Sequence, residues 1–174
     1  MVLDLLAEDN DAHSALRTCS LVCHEFIPIC RKHIFGSIVL YDYSPTPHPF
    51  EHLLHETPDI ADYIRKFELE SDYNVQFTSI QESLKRIYRL EFLTVWHPKS
   101  REFNWSNHLI HPALLHLLHL PTLTHFKVTN IDNFIISDLI PCIDLKYLDI
   151  SFYMSVPVAA ENSFPQFCPS IQSN

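Results

Sequence analysis

Glycine is nearly absent. The chain has one, Gly36, in 174 residues, against 12 prolines. Loops that cradle phosphate and turns that grip dinucleotides need several glycines, so that backbone can approach the ligand at positive φ. A P-loop, a GxGxxG turn and a GxSxG elbow are therefore excluded, and with them most nucleotide-dependent enzymes and the α/β-hydrolase pattern. Basic residues are also scarce: Lys and Arg number 12 against 21 Asp and Glu, a formal charge of −9. With no Lys/Arg cluster to meet a polyanion, neither nucleic acid nor a membrane is an expected partner. No run of about 18 apolar residues occurs that could span a bilayer. The acidic opening Met1 to Asp11 lacks a basic n-region and an apolar h-region, so no secretory leader is expected. Cysteine is sparse and odd in number: Cys19, Cys23, Cys30, Cys142 and Cys168. Reduced core thiols in a cytoplasmic or nuclear protein are the economical reading.

What is present is a well-supplied core: 47% of residues are hydrophobic and 19% charged. Residues 1–34 read as helical. Ala12, Ala15, Leu16, Cys19, Val22, Cys23 and Phe26 recur at steps of three and four, which predicts one buried face. Asp9, Asn10 and Asp11 stand where an N-cap belongs, and Pro28 limits the first helix. A second short helix or a kinked extension should then carry Arg31 to Phe35.

From Phe35 a new pattern repeats, an apolar residue followed three and five positions later by two more. The sets are Phe35, Ile38, Leu40; Ile64, Phe67, Leu69; Ile87, Leu90, Phe92; Leu123, Phe126, Val128; and Leu145, Leu148, Ile150. This is the strand signature of leucine-rich repeats, in which alternate strand residues are buried and neighbouring repeats stack. Helical segments fill the intervals at Pro49 to Glu56, Thr78 to Arg89 and Pro112 to Leu120, and Phe134 to Ile140 supplies a short apolar turn or two. The interval from Ile87 to Leu123 exceeds the roughly 20–29 residues of a regular repeat. The ninth positions are Asp72, Val95, Ile131 and Tyr153 rather than Asn or Cys, so the ladder of turn amides should be missing. The fold class expected is α/β, a short irregular leucine-rich-repeat-like solenoid over residues 35–156, with a helical cap at 1–34 and an irregular tail at 157–174.

The run SALRTCSLVCHEFIPICRKHIF, Ser14 to Phe35, resembles the second half of an F-box. Val22 and Cys23 match, His24 takes the basic place, and Phe26 stands where that family has Trp. Thr57 to Leu69 (TPDIADYIRKFEL), Leu120 to Val128 and Asp138 to Ile150 look like fungal F-box proteins with degenerate leucine-rich repeats. The opening Val-Leu-Asp-Leu-Leu lies already inside the first helix of such a motif, which is therefore shortened and lacks its Leu-Pro. The resemblance implies a non-catalytic substrate-recruiting subunit of a cullin-based ubiquitin ligase. Leu5, Leu6, Ala15, Leu16, Leu21, Val22 and Phe26 would dock a Skp-type adaptor or pack on the repeats. A leucine-rich-repeat scaffold without a ligase link is the alternative reading.

In a solenoid, the strand positions flanking the buried residues face the concave side. They are Lys66, Glu68 and Glu70; Arg89, Glu91 and Leu93; His125, Lys127 and Thr129; and Tyr147, Asp149 and Ser151. These would hold a protein substrate.

Twelve histidines raise the question of a metal. His48, His52 and His55, and His116 with His119, have helical spacing, but no acidic or Cys partner recurs beside them and no HExxH occurs. His116 and His119 fall opposite Leu114, Leu117 and Leu118 and should be solvated. Cys23 beside His24 is no thiol dyad, because adjacent helical side chains diverge by about 100°. No catalytic residue, cofactor or metal is expected. Trp96 and Trp105, in WHPKSREFNW, are expected to tuck over the adjacent strands; a partner-contact loop is the alternative.

Overall fold

The computed structural model describes residues 12–42, 49–71, 78–97 and 103–151. Helix α1 (Ala12–Val22) and helix α2 (Phe26–Phe35) form an N-terminal pair. The first stops short of Cys23, and a turn in which Phe26 N–H donates to the Cys23 carbonyl starts the second. Pro28 sits in the first turn of α2, where backbone amides have no helical acceptor and proline removes nothing. The single face expected here is broken by that turn: among the described residues of the pair only Leu16 and Cys30 are buried, with Cys19, Ile29 and Ile34 packed around them.

Beyond the pair, strand and helix alternate. Strand β1 (Ser37–Asp42) leads to helix α3 (Pro49–Glu56) and a 3-10 turn at Pro58–Tyr63. Strand β2 (Lys66–Ser71) leads to helix α4 (Thr78–Leu84), and strand β3 (Phe92–Trp96) to a short strand β4 (Phe103–Asn104) and helix α5 (His111–Leu118). Strand β5 (His125–Thr129), a short strand β6 (Ile131–Asp132), a 3-10 turn at Ile136–Leu139 and strand β7 (Tyr147–Ser151) complete the described elements. The long strands form a five-stranded sheet in chain order β1-β2-β3-β5-β7, parallel throughout. β4, in the longest interval, makes a separate parallel pair with β6, which follows β5.

The entry to each strand is built the same way. The Gly36 carbonyl accepts from the Arg65 and Lys66 amides, Arg65 from Glu91 and Phe92, Glu91 from Thr124 and His125, and Thr124 from Lys146 and Tyr147. These equivalences correct the third apolar set. Phe67 pairs with Leu93 and Leu69 with Val95, so the set is Leu90, Leu93, Val95, and all three are buried. Ile87 belongs to the connection ahead of it. The inward residues of β1, β2, β3 and β5 join Phe50, Leu54, Ile80, Leu84, Leu114 and Leu118 of the helices in one continuous core. One sheet face is thus covered and the other is open.

Two further expectations change. α4 ends at Leu84 rather than near Arg89, while Phe134 to Ile140 holds one 3-10 turn, Ile136–Leu139. One rung of a turn ladder exists, displaced by a residue: Asn130, at φ 59°, donates from its side-chain amide to the His97 carbonyl at 2.9 Å. Asn tolerates that left-handed backbone better than most residues. Leu5, Leu6, Asp9 to Asp11, His48, Asp72, Lys99, Arg101, Tyr153, Cys168 and the tail 157–174 lie outside the described residues.

Candidate functional site

The open sheet face is ordered by the register of its parallel strands. Lys66, Phe92, His125 and Tyr147 are register partners across four strands, and their side chains form a ladder. The Lys66 ammonium lies 5.0 Å from the Phe92 ring centre. Phe92 and His125 stack at 4.2 Å, and His125 and Tyr147 at 5.7 Å. Cross-strand pairs of this kind stabilise a sheet, and their outer edges leave aromatic surface for a partner. The next row runs Glu68, Thr94, Lys127, Asp149, with a Lys127–Asp149 ion pair at 3.2 Å. The third runs Tyr41, Glu70, Trp96, Thr129, Ser151. Burial alone raises the Glu70 carboxyl above its ordinary value. A groove of about 320 Å³ opens between the rows, lined by Glu68, Thr94, Trp96, Lys127 and Thr129.

Of the positions expected on this face, Lys66, Glu68, Glu70, His125, Lys127, Thr129, Tyr147, Asp149 and Ser151 are there. Leu93 is buried instead, and Arg89 and Glu91 precede β3. Glu91 pairs with Arg65 at 3.5 Å on the rim where the strands begin. Phe92, Thr94 and Trp96 take the face positions in β3. Sequence reasoning missed the first two because the triplet had been set three residues early. Trp96, expected over the core, stands half-buried on the open face. Trp105 is fully buried, beside Phe134 and Phe126, and donates from Nε1 to Asp138 at 2.9 Å.

The helical pair carries the second surface. Leu21 is 87% exposed, Val22 77% and Phe26 38%, and they cluster around the α1–α2 turn. Ala15 is half-buried, and Leu16 is core against Cys30, so Leu16 is not free to dock anything.

His116, expected in solvent, is half-buried with Nε2 3.2 Å from the Ile87 carbonyl. His119 is exposed and lies 2.8 Å from the Asp138 carbonyl. Among the described residues no group of three or more His, Cys, Asp or Glu side chains could hold a metal ion. Cys30 is buried, and that burial, with Cys19 nearby, pushes its thiol up, away from the reactive thiolate form. No described helix is long and apolar enough to cross a membrane. Comparison with protein family models, curated proteins and solved structures returned no match.

Proposed function

We propose that the chain is a non-catalytic recruiting subunit, with an F-box-like helical pair that binds a Skp-type adaptor and a leucine-rich-repeat-like solenoid that binds a protein substrate on its open face. This places it with a cullin-based ubiquitin ligase in the cytoplasm or nucleus. The carrying observation is the exposed trio Leu21, Val22 and Phe26, within the segment that resembles an F-box. Apolar side chains exposed together outside any core are what an interface with a few dominant contacts uses. The strand-by-strand repetition of the entry hydrogen bonds supports the solenoid part of the reading. The chain would act by holding substrate near the ligase's transfer machinery at raised effective concentration.

Co-expression with a fungal Skp-type adaptor, followed by size-exclusion chromatography, tests this. A stable complex that dissolves in the double variant Leu21→Asp/Val22→Asp is expected. A folded chain that elutes alone beside the adaptor would sink the ligase link. A repeat scaffold with no such link is the second reading, favoured by the aromatic ladder, which is complete without any contribution from the helical pair.

A further inference from the structure

A cleft of about 620 Å³ separates α2 from the loops that enter β2 and β3. It lies on the rim, apart from the open sheet face. Lys32 reaches it from α2, and Arg65 and Arg89 from the two loops, an unusual meeting of cations in a chain of net charge −9. The three are not equivalent. Arg65 is committed: its guanidinium donates to the Asp62 and Ile64 carbonyls at 2.7 and 3.1 Å and pairs with Glu91. Lys32 and Arg89 make no such contact among the described residues and are exposed. One carboxylate, Asp62, lines the cleft, and it already accepts a hydrogen bond from the Tyr88 hydroxyl. His33 lines the cleft as well, and apolar surface comes from Pro28 and Ile29 of α2 and from the Tyr63 ring.

We infer that this cleft binds a phosphate monoester carried on an aromatic or other apolar stem, as on a phosphorylated side chain of a partner protein. Two uncommitted cations match a group that carries close to two negative charges at neutral pH, whereas a carboxylate would leave one of them unanswered. Arg89 offers the planar fork suited to phosphate oxygens, and Lys32 a point charge lining the same cleft. The apolar lining from Pro28, Ile29 and Tyr63 gives the stem somewhere to lie. The inference stands apart from the adaptor reading, because every group that it uses belongs to this chain and the cleft is formed without a partner.

Isothermal titration of the full chain with phenyl phosphate, inorganic phosphate and benzoate tests it. Phenyl phosphate should bind saturably and more tightly than either of the others, and the affinity should fall as salt is raised. Arg89→Gln and Lys32→Gln should each weaken phenyl phosphate about tenfold or more, the loss expected for one charge-assisted contact. Lys85→Gln, which removes a cation paired with Glu82 elsewhere on the surface, should leave the affinity unchanged. Both cleft side chains are exposed and uncommitted, so circular dichroism should report folded variants. Full affinity in both cleft variants, equal binding of phenyl phosphate and benzoate, or no saturable binding would each overturn the inference. Equal binding of phenyl phosphate and inorganic phosphate would do so as well, since it denies the stem its apolar lining.

Discussion

The lone glycine sits where a side chain has no room. Gly36 follows α2 with ordinary helical angles, so positive φ is not the reason for it. A Cβ added there would come within 2.5 Å of the Lys32 carbonyl oxygen, closer than real atoms approach. The same residue's carbonyl accepts both amides at the entry to β2, which ties the helix end to the sheet. Gly36→Ala should therefore destabilise the chain by about 1–3 kcal/mol, the range for forced overpacking, as read by the urea midpoint. An unchanged midpoint would mean that the junction relaxes freely. Histidine gives a second test at this scale. His108 is pushed down to about 4, first by burial and then by neighbouring His97 and His111, the last of which lies 3.5 Å from Asp138. The unfolded chain takes up this proton near 6.5, and the folded chain not until about 4. The unfolded state thus binds more protons in that window, so stability falls as pH drops through it and levels off below. Discounted for the ring's partial exposure, the effect is about 2 kcal/mol. Urea unfolding at pH 7 and pH 4.5 should show that slope shrinking in His108→Asn, where carboxylate contributions remain and this one is gone.

Among the elements, the helical pair separates the residues that build it from those that it displays. Leu16→Asp would place a carboxylate in the small cluster around Cys30 and should melt the pair, since an unpaired buried charge is among the largest single-residue penalties. Leu21→Asp/Val22→Asp changes side chains already in water and should shift the thermal midpoint little, within about 0.5 kcal/mol per site. Circular dichroism of the two variants checks both statements, and an equal loss of helicity would show that Leu21 and Val22 pack after all. The strands show how far periodicity carries. Four of five triplets could be located in the sequence because no second set of Ile, Leu, Val or Phe at the same three- and five-residue spacing begins three residues away from them. The third could not, since Ile87, Leu90 and Leu93 are all apolar at three-residue steps, and a triplet can begin at either of the first two. Only the pairing of Phe67 with Leu93 selects the later start, and with it moves Phe92 and Trp96 to the open face and Arg89 to the rim. The cleft at Lys32 was illegible for a different reason. Its cations come from segments about thirty residues apart, and no local spacing announces that α2 folds back against the strand entries.

Across the whole molecule, stability should be unevenly distributed, because the apolar material is. One cluster runs without interruption from Leu40 to Ile131 and takes in β1, β2, β3, β5 and the three helices behind them. The helical pair rests on a core of two buried residues, Leu16 and Cys30, and meets the rest mainly through α2. At the other end no β7 residue is fully buried, and Ile136, Ile140 and Ile143 before it are largely exposed. Local opening follows burial. Hydrogen exchange read by mass spectrometry should therefore find β2, β3 and β5 most protected, with α1, α2 and β7 exchanging well ahead of them. Uniform protection would mean that the pair and the sheet unfold as one unit, and that the small cluster is stronger than its size suggests. The same measurement bears on function. A recruiting subunit that docks through Leu21, Val22 and Phe26 gains order where it has least, so adding the adaptor should slow exchange in α1 and α2 and leave β3 as it was. A phosphate monoester seated between Lys32 and Arg89 would instead protect α2 together with the entries to β2 and β3. One experiment on the intact chain thus separates the two surfaces by which elements respond.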